Sequence, residues 1–163
     1  MKKRLVVMAA AAVLCMGMLA GCGSSSTGSS TSGSSAEQSA DVTMSYMTCD
    51  ELKAQLDSDD VVVVDVRKAD DYAAGHIKGA ISADMDAAKA GDTEAGVTTM
   101  KAALKDATGS EDGAGKTLVL VCYSGKSYAQ AGTNALSTIG ADMDNVKTLE
   151  GGMEAWGDAD LEK

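Results

Sequence analysis

Two apolar runs constrain this chain more than anything else in it. Val61-Val62-Val63-Val64 is uninterrupted and β-branched and continues into Asp65-Val66-Arg67, while Thr117-Leu118-Val119-Leu120-Val121 is apolar almost throughout. Runs of this length, with no polar residue at alternate positions, suit strands covered on both faces, as in a parallel sheet. The segments around them predict helices, and strands alternating with helices specify an α/β domain with a parallel sheet between helical layers.

The rest of the chain fits that frame. Val42-Thr43-Met44-Ser45-Tyr46 alternates and predicts a short first strand. Thr48-Cys49-Asp50-Glu51 matches a capping box, so a helix is expected from Cys49 to about Asp57 with Leu52 and Leu56 on one face. Lys68 to Ala74 reads as a short helix, and Gly75 to Ile81 as a turn entering another short strand. Met100, Ala103, Leu104 and Ala107 predict a helix from about Val97 to Thr108, followed by a glycine-rich surface loop. A helix from Ser127 to Ile139 closes on Gly140, Asn145 to Leu149 forms a last strand, and Gly151 to Trp156 turns into a terminal helix. With no Phe, no Pro and one Trp, the core draws on Val, Leu, Ala and Met, and the 10 methionines read as gap-fillers.

The second apolar run leads directly into a cysteine. Cys122-Tyr123-Ser124-Gly125-Lys126-Ser127-Tyr128 joins the carboxyl end of a strand to a helix, where open α/β sheets place their ligands. Loop amides, a helix N-terminus and a nearby lysine lower a thiol's pKa and favour the nucleophilic thiolate. Cys122 is therefore the candidate nucleophile. Lys126 would attract an anion, Ser124 and Ser127 would hydrogen-bond it, and Tyr123 and Tyr128 would wall the pocket around Gly125. The alternative is a buried structural thiol at a strand end. Gly125-Lys126-Ser127 could end a Walker A loop, but Leu120 stands where that loop needs glycine.

At the N-terminus, Lys2-Lys3-Arg4, an apolar stretch from Leu5 to Met18, and Leu19-Ala20-Gly21-Cys22 have the three parts of a secretory signal. The apolar stretch is short for a membrane span of ~20 residues. Leu19-Ala20-Gly21-Cys22 also resembles the lipobox of bacterial lipoproteins. That resemblance implies cleavage after residue 21, lipidation of Cys22 and anchorage at the extracytoplasmic face of a bacterial cell membrane. Residues 22–40, mostly Ser, Gly and Thr, read as a flexible tether with a reach of roughly 20–25 Å. Residues 41–163 form the folded domain.

Cleavage removes three of the 14 basic residues and leaves 24 acidic ones, a net charge of −13. Such a chain is a poor match for nucleic acid, whose phosphates need basic contacts, and for electrostatic adhesion to anionic lipid. The bilayer is then met through Cys22 alone. Cys49 and Cys122 are the cysteines left in the domain, so no disulfide framework is expected. A single histidine, His76, and no C-x-x-C pair give little to hold a metal, and no cofactor is implied.

Three separated stretches together resemble the rhodanese family. Asp65-Val66-Arg67, with Asp71-Tyr72 and Gly75-His76-Ile77-Lys78-Gly79-Ala80, is similar to its first signature. The strand and loop from Thr117 to Tyr128 are similar to its active-site loop, and Leu149-Glu150-Gly151-Gly152-Met153-Glu154-Ala155-Trp156 to its C-terminal signature. The resemblance covers roughly residues 41–163 and implies a five-stranded parallel sheet flanked by helices on both faces. It also implies a loop whose backbone amides, at residues 123 to 127, point at the cysteine sulfur. Members with activity take sulfur from a small anionic donor such as thiosulfate, hold it as a persulfide on that cysteine, and pass it to a thiol or other thiophilic acceptor. The sequence departs from the family at Lys78, where proline is usual, and at Asp71, where glutamate is frequent. Phosphatases of the related type carry an arginine six residues after the cysteine; that position is Tyr128, and the chain's arginines are Arg4 and Arg67.

Sulfurtransfer through Cys122 is thus the expected function. The alternatives are a non-catalytic module that uses the loop to bind an anion or a partner, and a thiol redox role with Cys49 as resolving cysteine. Arg67 with Asp71, four residues apart, is expected to form a structural ion pair. His76 is expected to fix a turn rather than act as a base, and Trp156 to plug the core.

Overall fold

The computed structural model describes residues 41–158 and 160–163. The leader over 1–21, the tether over 22–40 and the lipidation site Cys22 lie outside them.

The two apolar runs are neighbouring strands at the centre of the sheet. β2 (Val61–Asp65) and β5 (Thr117–Val121) pair in parallel, from Val61 opposite Thr117 to Asp65 opposite Val121. β6 (Val146–Leu149) lies on the far side of β5, β1 (Tyr46–Met47) beyond it, and β4 (Ile81–Ser82) flanks β2. The order is β1-β6-β5-β2-β4, and every pairing is parallel. This is the expected five-stranded sheet.

Alternation along the central strands divides the core in two. Val64 of β2 and Val66 just after it, with Leu118 and Leu120 of β5, face α3 (Asp86–Lys89), α4 (Thr93–Thr108) and α5 (Ser127–Ile139). Val63, Val119 and Val121 face the other way, onto Leu52 of α1 (Cys49–Lys53), Trp156 of α6 (Gly152–Trp156) and the neighbourhood of α2 (Ala69–Ala74). Leu52, Leu104, Leu118, Leu120, Leu136 and Met100 are almost wholly inaccessible, and each such side chain contributes about 1.5–3 kcal/mol through burial. Trp156 plugs the second core as expected.

Several boundaries differ from expectation. Residues 42–45 do not form the first strand. Val42 is drawn onto α5 instead, its N–H donating to Asn134 Oδ1 (3.0 Å) and its carbonyl accepting from Gln130 Nε2 (2.8 Å), while the Ser45 carbonyl accepts from the Thr148 N–H of β6 (2.7 Å). The first strand starts at Tyr46, where the chain reaches the edge of β6. Thr48 makes the capping box, but α1 ends at Lys53. α4 begins at Thr93, because Asp92 caps it through the Ala95 N–H (3.0 Å). Gly96 lets α4 approach α3, since a Cβ there would lie 2.4 Å from Ala88 Cβ. The short α3 was not expected, nor was the small antiparallel pair outside the main sheet, β3 (His76–Ile77) with β7 (Leu161–Glu162).

Candidate functional site around Cys122

Side-chain direction along β5 decides where the thiol lies. Cys122 is in phase with Leu118 and Leu120, so it belongs to the core beneath α5, beside Tyr128 and Ala129, and is 2% exposed. The loop after it is held by the start of α6. The Met153 N–H donates to the Cys122 carbonyl (2.8 Å) and the Glu154 N–H to the Tyr123 carbonyl (3.0 Å). Two glycines make that approach possible. Gly152, at φ +57, has Cys122 O 2.3 Å and the Ser124 and Gly125 nitrogens 2.8 Å from where a Cβ would stand. Gly125, at φ +68, has Leu149 O only 2.6 Å from its own Cβ position. Both combine a close backbone approach with a left-handed conformation, which only glycine supplies without strain.

With those carbonyls turned toward α6, the amides are left open. Among the described residues, none of the backbone N–H groups from Tyr123 to Ala129 has an acceptor. The first helical bond of α5 runs from the Gln130 N–H to the Lys126 carbonyl (2.8 Å), and Lys126, at the N-cap position, gives no side-chain cap. Lys126 and Ser127 are exposed and Ser124 is half-buried; among the described residues none of the three makes a side-chain hydrogen bond or ion pair. A run of free amides at the head of a 13-residue helix, with an unpaired ammonium, is suited to negative charge.

Tyr123 and Tyr128 contact each other, and both hydroxyls are engaged. The rings meet edge to face with centroids 5.2 Å apart. The Tyr123 hydroxyl donates to Asp71 of α2 and lies 3.5 Å from the Lys68 N–H. The Tyr128 hydroxyl donates to Asp86 of α3 (2.6 Å). Cations cover both rings, Arg67 5.9 Å from the Tyr123 centroid and Lys89 5.1 Å from that of Tyr128. The hydrogen bond to Asp86 pushes the Tyr128 phenol well above its ordinary pKa, and the same bond lowers the Asp86 carboxyl. Burial raises the Tyr123 phenol, assisted by the bond to Asp71.

The expected Arg67–Asp71 pair does not form. Asp71 is engaged by Tyr123, and Arg67 pairs with Asp65 at 2.6 Å, both side chains being at least nine-tenths buried. Arg67 Nη2 also donates to the Gly75 carbonyl (2.7 Å). Burial works against the guanidinium charge, but the bond and attraction to Asp65 outweigh it and hold Arg67 above its ordinary pKa. Asp65 is in phase with Val63 and so lies across the sheet from Cys122. The pair is structural, as expected, with a different acid. His76 stacks on Tyr72 (3.8 Å) with Nδ1 3.0 Å from the Tyr72 carbonyl, which agrees with the turn-fixing role.

Cys49 and Cys122 are both free thiols. Cys49 Sγ is 3.9 Å from the Glu150 carbonyl, on the β1 side of β6. Cys49 opens α1 just after β1, and Cys122 follows β5, with β6 lying between those two strands. A cleft of about 340 Å³ lies nearby, lined by Arg67, Asp71, Met153 and Leu161 among others; Cys122 is not one of its walls. No group of acidic, histidine or cysteine side chains among the described residues is placed to hold a metal ion.

Sequence reasoning did not identify Gly152 as the support of the loop, although the Gly151-Gly152 pair at a helix start was a signal for close backbone approach. Nothing in the sequence linked Asp86 to Tyr128.

The comparisons with known proteins bear on the family and the fold. A family model described as "Rhodanese-like domain" matches residues 48–159. A rhodanese-like domain protein from Staphylococcus aureus is 30% identical, with a TM-score of 0.52 over 73% of this chain and 97% of that one. A Staphylococcus saprophyticus structure is 28% identical, with a TM-score of 0.51 over 74% and 100%. A Rhodopseudomonas palustris protein described as a possible tyrosine phosphatase, 22% identical over 69% and 79% with a TM-score of 0.50, shares the fold. No curated protein matches the chain.

Proposed function

This chain belongs to the rhodanese-like domain family, and we propose that it is a sulfurtransferase working through a persulfide on Cys122. The observation that carries the proposal is the loop: its Cys122 and Tyr123 carbonyls are bonded to α6, and among the described residues the amides from Tyr123 to Ala129 have no acceptor. The Cys122 thiolate attacks the outer sulfur of thiosulfate, the S–S bond of the donor breaks, and sulfite leaves with the electron pair. The persulfide keeps one negative charge, which fixed amide dipoles stabilise without reorganising. An acceptor thiolate then attacks the outer sulfur and releases the Cys122 thiolate. Lys126 draws the anionic donor to an otherwise acidic protein, and Ser124 and Ser127 stand beside the entry.

The absence of an arginine fork supports sulfur over phosphate. Tyr128 occupies the place six residues after the cysteine, and its hydroxyl is committed to Asp86. The lipobox-like stretch ending in Cys22 supports anchorage at the extracytoplasmic face, and loss of fatty-acid labelling in Cys22→Ala is the expected check.

The full-length protein incubated with thiosulfate is expected to gain the mass of one sulfur atom, and Cys122→Ser to gain none. A wild-type protein that never takes up sulfur would overturn the proposal. A second reading, a binding module that holds an anion on the loop without turnover, is favoured by the 2% exposure of Cys122. It predicts thiosulfate binding by calorimetry with no mass gain.

A further inference from the structure

Both ends of the Cys122 loop are tied to acids outside it, and the reaction described above gives neither acid a role. Tyr123 follows the cysteine directly, and its hydroxyl reaches Asp71 in α2. Tyr128 lies in the first turn of α5, and its hydroxyl reaches Asp86 at the start of α3 (2.6 Å). The loop between them depends on Gly125 and Gly152 for its path and has amides without partners among the described residues. The start of α6 holds the Cys122 and Tyr123 carbonyls, but no bond among the described residues fixes the amides that follow. The tyrosines supply the missing constraint, each fixed at its hydroxyl by a carboxylate and at its ring by a cation.

We propose that Asp71 and Asp86 are positioning residues, which act through Tyr123 and Tyr128 to hold the Cys122 loop in the form that presents its amides to the sulfur. Neither acid meets the substrate. The charged groups around the two struts are Arg67 and Lys68 from the turn between β2 and α2, Asp71 from α2, and Asp84, Asp86 and Lys89 from the approach to α3 and α3 itself. Lys68 bridges the struts, with its ammonium 3.5 Å from Asp86 and its N–H 3.5 Å from the Tyr123 hydroxyl. The proposal rests on the reading of Cys122 as a reactive thiol, but not on sulfur transfer.

A through-space effect and a positioning effect have opposite signs here, which makes them separable. The ratio of Cys122 alkylation rates with iodoacetate and iodoacetamide, measured on the full-length protein, reports how well the loop receives an anion. Removing the Asp71 charge raises that ratio if the acid acts only through space. Loss of the strut lowers it, because the amides no longer converge. Asp71→Ala is therefore expected to lower the ratio by roughly three- to tenfold, the effect of one charge-assisted hydrogen bond partly transmitted to the site. Tyr123→Phe, which keeps the ring and the charge, is expected to lower it as well. Asp71→Asn keeps an acceptor oxygen and returns the ratio toward wild type. Tyr128→Phe and Asp86→Ala follow the same pattern at the other end.

An unchanged ratio in Tyr123→Phe and Tyr128→Phe, or a raised ratio in Asp71→Ala and Asp86→Ala, overturns the proposal. A merely structural role lowers the unfolding midpoint and leaves the ratio of the folded protein alone, so that result overturns it too. Wild-type protein that takes no sulfur from thiosulfate while these ratios fall would remove the sulfurtransferase reading and leave the positioning role standing.

Discussion

The crossovers after β2 and β5 leave the same edge of the sheet on adjacent strands and treat their polar groups in opposite ways. After β2, Asp65 pairs with Arg67, Arg67 reaches the Gly75 carbonyl, the Val66 N–H donates to Val121 O (2.8 Å), and the Asp65 carbonyl accepts from Ala83 (2.9 Å). Almost every group there is satisfied. After β5, the Cys122 and Tyr123 carbonyls are satisfied by α6, and the amides that follow have no partner among the described residues. The first crossover holds α2, β4 and the edge of the sheet together. The second leaves a run of backbone donors without acceptors among the described residues, directly after the buried Cys122. The difference lies in hydrogen-bond saturation: one crossover closes its polar groups on itself and its neighbours, and the other leaves a run of donors open.

The largest expected effect comes from breaking the saturated side. Arg67→Ala leaves Asp65 buried and unpaired, and is expected to cost about 3–5 kcal/mol in urea unfolding. Asp65→Ala should cost a similar amount. A loss under about 1 kcal/mol would mean that the crossover is not held by this pair.

Next comes the support of the open side. Gly152→Ala forces a Cβ against Cys122 O and the Ser124 and Gly125 nitrogens at positive φ. It is expected to destabilise by about 1–3 kcal/mol, and to lower kcat/KM for sulfur transfer at least about tenfold, more than its stability loss accounts for. Equal activity in the folded fraction would show that the loop tolerates displacement from α6.

The strut between Tyr128 and Asp86 adds a pH dependence. The Tyr128 phenol is raised, so its contribution to stability is complete below its unfolded pKa of ~10 and declines as pH rises past that value. Asp86 is lowered, so its contribution is complete above its unfolded pKa of ~3.9 and is lost as pH falls through the folded value. The stability difference between wild type and Tyr128→Phe is expected to be greatest from about pH 5 to 9 and to shrink on both sides. Denaturant melts across pH check this, and a pH-independent difference would exclude the bond.

The smallest effect belongs to Lys78. Its ammonium pairs with Asp57 between well-exposed side chains, so Lys78→Ala is expected to change stability by less than about 0.5 kcal/mol. Lys78→Pro is a sharper test, because the Lys78 N–H donates to the Asp160 carbonyl (2.9 Å) and proline removes that donor. A loss of about 1 kcal/mol is expected.

The sequence carried the elements whose information is local. Val61–Val64 and Thr117–Val121 announced buried parallel strands, and Thr48 with Glu51 announced a helix start, because burial on both faces and capping each leave a mark within a few residues. The two-residue strands and α3 left no such mark. They are too short to show a period, and β7 exists only because β3 is there to receive it. Residues 42–45 alternated like a strand, yet Gln130 and Asn134 of α5 took the backbone groups of Val42.

The same division runs through the candidate site. Cys122, its place at a strand end, the amide-rich loop and the missing arginine at Tyr128 were all determined by order along the chain. Which acid each charged or phenolic group meets was decided only by tertiary structure. Arg67 was expected on Asp71, four residues away on a helix, but α2 starts at Ala69 and leaves Arg67 outside it. The side chain turns back to Asp65 in the same strand phase, and Asp71 is free to take Tyr123. Gly152 likewise became part of the site because α6 delivers its first amides to the Cys122 and Tyr123 carbonyls across the end of the sheet. Residue types and their spacing fix what chemistry is available, while contacts between segments far apart in sequence, which no local pattern encodes, fix which groups meet.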